Sequence, residues 1–144
     1  MKKIIHAVHI HEVPMVVYAA LTTARGLSSW WTRLVTVESE VGGRIHFRFT
    51  DVFNPIMVQQ TLEQDRLVEW TCVGGHENWA DNSFSFALEE RREDTLLMFT
   101  QNYAQELSDE MYGTYNFNWG YYLHSLKRYC EANEGTPFTP PKIA

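Results

Sequence analysis

Four side chains in one short stretch, His76, Glu77, Trp79 and Asp81, combine an imidazole, two carboxylates and an aromatic ring within a glycine-flanked loop. Imidazole and carboxylate are the groups that exchange protons most readily, so general acid or base chemistry would be drawn from here. The stretch supplies no nucleophile at a fixed spacing, and a structural turn that covers the mouth of a pocket accounts for it better. His9 and His11 lie two apart on an alternating run and project to one face, a spacing compatible with metal ligation. No third ligand accompanies them, and an exposed sheet face explains them. His46, between Arg44 and Arg48, reads as part of a solvated cationic stripe. There is no phosphate-binding glycine loop, serine elbow or zinc signature. No catalytic residue, metal ligand or cofactor is assigned on this basis, and the residues favour a binding module over an enzyme.

Apolar binding has more support. Aromatics make up 14% of the chain, and Trp30, Trp31, Trp70, Phe84, Phe86, Phe99, Tyr115, Trp119 and Tyr122 all fall on the inward side of periodic patterns. Ligand sites are commonly apolar cavities with a few polar groups that fix orientation. Gln60 and Gln101, read as sharing the inner parity of their strands, would be those groups. The alternative is a solid core whose tyrosine hydroxyls reach water or backbone.

The elements that must position these residues follow from periodicity. Residues 108–133 hold the one sustained helical stripe, with Tyr112, Tyr115, Trp119, Tyr122, Leu123, Leu126, Tyr129 and Cys130 at steps of three or four. Ser108 is the expected cap, Asp109 and Glu110 suit the positive helix end, and Gly135 is the expected stop. At about 1.5 Å per residue this helix is roughly 35 to 40 Å long, enough to cross a sheet. Earlier segments read as strands: 3–11, 34–40, 44–50, 57–63, 67–73, 82–90 and 95–101. Two short helices follow the first strand, one opened by Pro14 and one over 26–31. Inner positions are expected at Val58 and Leu62, Val68 and Trp70, and Leu97 and Phe99, with Leu96 and Met98 outside. One strand, two short helices, about six hairpin-spaced strands and a long helix predict an α+β fold in which a curved antiparallel sheet wraps the C-terminal helix.

A chain of 144 residues is one ordinary domain with a core of its own; residues 135–144 form a proline-containing tail. The net charge of −6 argues against a nucleic-acid partner. No apolar stretch is long enough to span a bilayer, and His6, His9, His11 and Glu12 break up the only candidate leader, so a cytoplasmic location is expected. Cys72 and Cys130 lack metal-type spacing and are expected as reduced, buried thiols.

Four pieces of the sequence carry a family likeness: Val13-Pro14 followed by Val17 to Thr22, the pair Trp30-Trp31 within Leu27 to Thr32, the Gly42-Gly43 hairpin, and Asn118-Trp119-Gly120 with Leu123, Leu126, Lys127, Tyr129 and Glu131. In this order they resemble the START-like helix-grip superfamily, also called SRPBCC, which includes the birch-pollen-allergen fold, and within it the family named for the activator of the heat-shock chaperone ATPase (AHSA-like). Asn118 departs from the glycine usual before that tryptophan. The resemblance implies a cavity between sheet and helix that holds an apolar or amphipathic ligand. The expected ligand-binding set is Trp30, Trp31, Gln60, Trp70, Phe86, Phe99, Gln101, Tyr115, Trp119, Tyr122 and Leu123, with the helix residues as lid and Trp70, Phe86 and Phe99 as floor. Two other functions stay open: a chaperone-directed interaction module in stress response, as the family name suggests, and a cyclase- or hydrolase-like enzyme using the same cavity. The chain is expected as a monomer or homodimer.

Overall fold

A computed structural model describes residues 2–141; Met1 and the tail residues Lys142, Ile143 and Ala144 lie outside it. The first alternating run forms β1 (Lys3–Ile10), with Ile4 and Ile10 buried and Ile5, Ala7 and His9 exposed. Pro14 occupies the first turn of α1 (Pro14–Thr22), and Thr23 caps α2 (Ala24–Trp30) by accepting the Gly26 amide. Then come β2 (Leu34–Val37), β3 (Arg44–Arg48), β4 (Ile56–Glu63), β5 (Leu67–Gly74), β6 (Ser83–Arg91), β7 (Asp94–Asn102) and α3 (Asp109–Ala132).

The seven strands form one antiparallel sheet in the order β1-β7-β6-β5-β4-β3-β2. Five successive hairpins make the run from β2 to β7, and the α1–α2 crossover carries the chain from β1 at one edge to β2 at the other. The sheet's inner face and the apolar stripe of α3 share one core with α1 and α2. This is the helix-grip arrangement: each layer has one greasy face, and each covers the other's.

Local geometry corrects three sequence expectations. Strand β4 contains a bulge: Gln59 pairs with Trp70 but Thr61 already pairs with Glu69, so Gln60 is the extra residue. Before the bulge the inner residues are therefore Met57 and Gln59, both fully buried, and not Val58; after it Leu62 faces Val68 as expected. Gln60 is exposed, so strict alternation put it on the wrong face. Leu96 is also buried, flanked in register by His9 and Glu89. Finally, α3 stops at Asn133, which takes the left-handed conformation at φ 56° and closes the last turn. Gly135 serves a different purpose, since a β-carbon there would lie 2.1 Å from the Ser29 carbonyl oxygen.

That close approach seats the tail. The Phe138 amide donates to Trp31 O, Arg33 N–H donates to Phe138 O, and the Thr136 amide donates to Ser125 Oγ, whose own hydroxyl donates to Trp30 O. At the same C-terminal end of α3, Lys127 Nζ donates to His9 O and to Glu131, Glu131 accepts the His11 amide, and His11 Nδ1–H donates to Asp94. Both cysteines are free and buried, and burial pushes the Cys130 thiol up to about 12.

Two tests follow. Gly135→Ala must displace backbone to clear Ser29, and we expect a loss of roughly 2 kcal/mol by urea unfolding together with a faster-exchanging Phe138 amide. The Asp94 hydrogen bond and charge raise the His11 pKa above the ordinary 6.5. A raised folded pKa adds stability that is full below the unfolded value and is lost as pH rises through the folded one. The Tm gap between wild type and His11→Gln should accordingly be wider at about pH 5 than at about pH 9; a constant gap would remove the ion pair from the account.

Candidate functional site

Trp31 sits just past the end of α2, where the chain turns toward β2, and its ring meets both layers of the fold. It packs edge-on against Phe47 and Phe49 at 4.4 and 5.2 Å, parallel to Trp70 at 6.3 Å, and against Trp119 of α3 at 5.0 Å. Its neighbour Trp30 stacks on it at 5.8 Å and donates from Nε1 to Ala20 O. Trp119 lies on the sheet: its ring is 4.2 Å from Phe99, and its Nε1–H donates to Gln101 Oε1 at 2.7 Å. Beneath them Trp70 and Phe86 are 4.8 Å apart. The space between helix and sheet is thus filled along its centre.

The open volume lies to one side. A half-open cleft of about 430 Å³ is bounded by Trp31, Trp119, Tyr115 and Tyr122 on one wall and by Phe49, Phe53, Trp79 and Phe138 on the other, with Thr50, His76 and Asn118 completing it. Different segments supply these parts for local reasons. After β3, Asn54 Oδ1 accepts the Phe49 amide and Thr50 Oγ1 accepts the Phe53 amide, folding Phe53 back over Phe49 at 5.6 Å. A 3₁₀ turn, Glu77–Trp79, is capped by His76 and carries Trp79 inward, parallel to Trp119 at 6.0 Å. The turn is reached through Gly75 at φ 95°, where a β-carbon would lie 1.9 Å from Asn54 O. The tail brings Phe138 to 5.5 Å from Phe49.

Its polar atoms share one character. His76 Nδ1 accepts the Asn78 amide, so the neutral ring carries its proton on Nε2. The Tyr115 hydroxyl accepts from Asn78 Nδ2 and keeps its own proton to give. Thr50 Oγ1 already accepts backbone amides, leaving its hydroxyl proton free. With Asn118, the wall offers hydrogen-bond donors and carries no carboxylate. Behind it, the Trp79 indole N–H and the Tyr103 hydroxyl are both buried without a hydrogen-bond partner, and burial drives the Tyr103 pKa upward.

Of the ligand set expected from sequence, Trp31, Tyr115, Trp119 and Tyr122 line this cleft. Trp30, Trp70, Phe86, Phe99, Gln101 and Leu123 are buried core beneath or beside it, and Gln60 points to solvent on the far face. Gln101 holds Trp119 and faces no open volume. Sequence reasoning missed Phe49, Thr50, Phe53, Asn118 and Phe138 as wall residues and read His76 and Trp79 only as a loop near a pocket mouth. Their signal was faint: an aromatic in a turn, and a lone aromatic among prolines.

These features define a helix-grip protein with an aromatic cleft flanking its long helix. Residues 13–131 match the family described as activator of Hsp90 ATPase homolog 1-like protein, and the chain belongs to that family. It is similar to the Aha1 protein of Colwellia psychrerythraea, whose solution structure is of a dimer: 34% identity over 94% of this chain and 100% of that one, TM-score 0.83. Two more distant structures share the fold, a protein of Mesorhizobium loti (17% identity, 88% and 95% of the two chains, TM-score 0.78) and CalU16 of Micromonospora echinospora (17%, 91% and 77%, TM-score 0.74). No match was found among the curated proteins. Among the described residues no helix is long and apolar enough to cross a membrane.

Replacing Trp119 with Phe removes a ring from the centre of this packing and leaves the Gln101 side chain without a partner. The expected loss is about 2 to 4 kcal/mol in urea unfolding, from the void and the orphaned amide together; a change under about 0.5 kcal/mol would show that the site repacks freely.

Proposed function

We propose that this chain, acting as one cytoplasmic START-like domain, binds a small, neutral, planar aromatic molecule bearing acceptor oxygens, in the cleft between α3, the Glu77–Trp79 turn and the tail. One observation carries the reading: the cleft has an aromatic wall, and each polar group that closes it has a proton to donate. Stacked or edge-on rings add roughly 0.5 to 1.5 kcal/mol per pair beyond area burial, which favours flat ligands over aliphatic chains of equal size. Its volume of about 430 Å³ falls within the usual range for a small-molecule site. An enzymatic role through His76 has less support, because Glu77 is exposed and no carboxylate lines the cleft to pair with the imidazole. A chaperone-directed surface on β7 is also weaker than expected, since Leu96 is buried and Met98 alone of that pair is exposed. The dimeric relative at 34% identity supports a second property, self-association.

Titrating the protein with 2-naphthol and with octanoate, and following tryptophan fluorescence, tests the ligand class. We expect saturable quenching by the naphthol and weaker binding of octanoate, with naphthol affinity falling about tenfold in Tyr115→Phe as one donor is lost. Native mass spectrometry of freshly purified protein should show a retained adduct or an empty, titratable cleft. Preference for octanoate, or no binding of either probe, would defeat the proposal.

A further inference from the structure

The face of α3 turned away from the core has a composition that solvent alone does not account for. Phe117 is 77% exposed and Tyr121, one turn on, is 51% exposed. At 100° per residue, Glu110, Gly113, Phe117, Tyr121, His124 and Arg128 fall within about 40° of one line along the helix. That line lies opposite the stripe of Tyr115, Trp119, Leu126 and Cys130 that faces the core. The face has an acidic residue at its start, two aromatics in its middle and cationic types at its end.

We propose that this face is the contact between two copies of the chain, with their α3 helices packed antiparallel about a twofold axis at the level of Trp119. The reading rests on self-association and is independent of the cleft. The argument is complementarity under that symmetry. With the axis at residue 119, each Phe117 lies opposite the partner copy's Tyr121 position, so two aromatic pairs occupy the centre. Glu110, which makes no salt bridge among the described residues, lies opposite the Arg128 position at each end. Arg128 holds only an exposed contact to Glu134, at 3.2 Å, and its guanidinium has donors to spare. Gly113 has open space where a β-carbon would stand, so the partner's imidazole at the His124 position can approach the backbone there. A parallel arrangement would set Glu110 against Glu110 and lose the pairing. Isologous contact requires this kind of self-complementarity, and a crossing near 20° keeps both ends within reach of long side chains.

One helix face from each copy buries on the order of 1,000 Å² in total, the lower end for a specific interface. The dimer should consequently be concentration-dependent. Sedimentation velocity of the full chain over a hundredfold concentration series, beginning at about 5 µM, is the test. Wild type should shift from monomer to dimer, and Phe117→Glu should weaken association at least about tenfold, with far-UV circular dichroism and naphthol binding unchanged because the residue is exposed and outside the cleft. Glu110→Arg should weaken it several-fold by setting two like charges together at each end, and adding Arg128→Glu should restore it. A chain that stays monomeric throughout overturns both the face and the self-association reading. A dimer of wild-type strength in Phe117→Glu, or no recovery in the double reversal, overturns the face or its register while self-association stands.

Discussion

The contact between Trp31 and Trp119 is the constraint on which the remaining geometry depends. Trp31 belongs to the turn after α2, Trp119 to the middle of α3, and both rest on rings that rise from the sheet. Large planar groups packed at these distances cannot slide without opening voids, and a dense interior resists that. The pair therefore fixes where α3 lies across the sheet and how far α2 can withdraw from it. Hydrogen bonds then set orientation: Gln101 holds the Trp119 indole, and the Trp30 carbonyl accepts from Ser125 of α3. Ser125 Oγ in turn receives the Thr136 amide, so the helix that anchors α2 also anchors the tail.

Filling the centre has a consequence for the cleft. Wherever a tryptophan spans the gap between layers, no ligand volume is left beneath it, and the open space moves to the side where the layers are joined only by loops. Those loops are shaped by backbone demands as much as by side chains. Gly75 lets the chain pass Asn54 at a distance no β-carbon allows, and Gly135 does the same at Ser29. Each close approach delivers one aromatic, Trp79 or Phe138, to the cleft wall. The wall is thus assembled from segments of low regularity held at single points, whereas its opposite side is part of the rigid core.

This explains which parts were legible in the sequence. Strand and helix patterns were clear because each element buries one face, and the period reports that face directly: Ile45 and Phe47 on β3, or Tyr115, Trp119 and Leu123 on α3. Hairpin spacing pointed to an antiparallel sheet, but it carried no information on where β1 joins it, beside β7. The site was half legible, because Tyr115, Trp119 and Tyr122 lie on the periodic helix α3 and Trp31 directly follows α2, while Phe53, Trp79 and Phe138 belong to no periodic element. The error at Gln60 has a definite cause. A single bulged residue reverses parity downstream, and nothing in the run from Met57 to Glu63 marks its position; Gln59 and Gln60 are the same residue type, so the text is identical whichever of them turns inward.

Helix α3 can be divided by angle into three surfaces with different physical demands. The inward stripe must fill space, and it carries rings and aliphatic side chains with their polar atoms mostly satisfied. The flank beside the cleft, with Asn118 and Tyr122, must stay open. Asn118 puts an amide at the cleft edge, which adds to the donors already contributed by His76, Thr50 and Tyr115. The outward stripe is freed from both demands, since neither the core nor the cleft uses Phe117. A phenylalanine 77% exposed on a regular helix gains nothing from packing within its own chain. Its placement between an acidic end and a basic end gives the stripe a direction, and a directed stripe complements a copy of itself only when reversed. The cleft and this stripe lie on different sides of one rigid helix, so occupancy of either leaves the other surface in place.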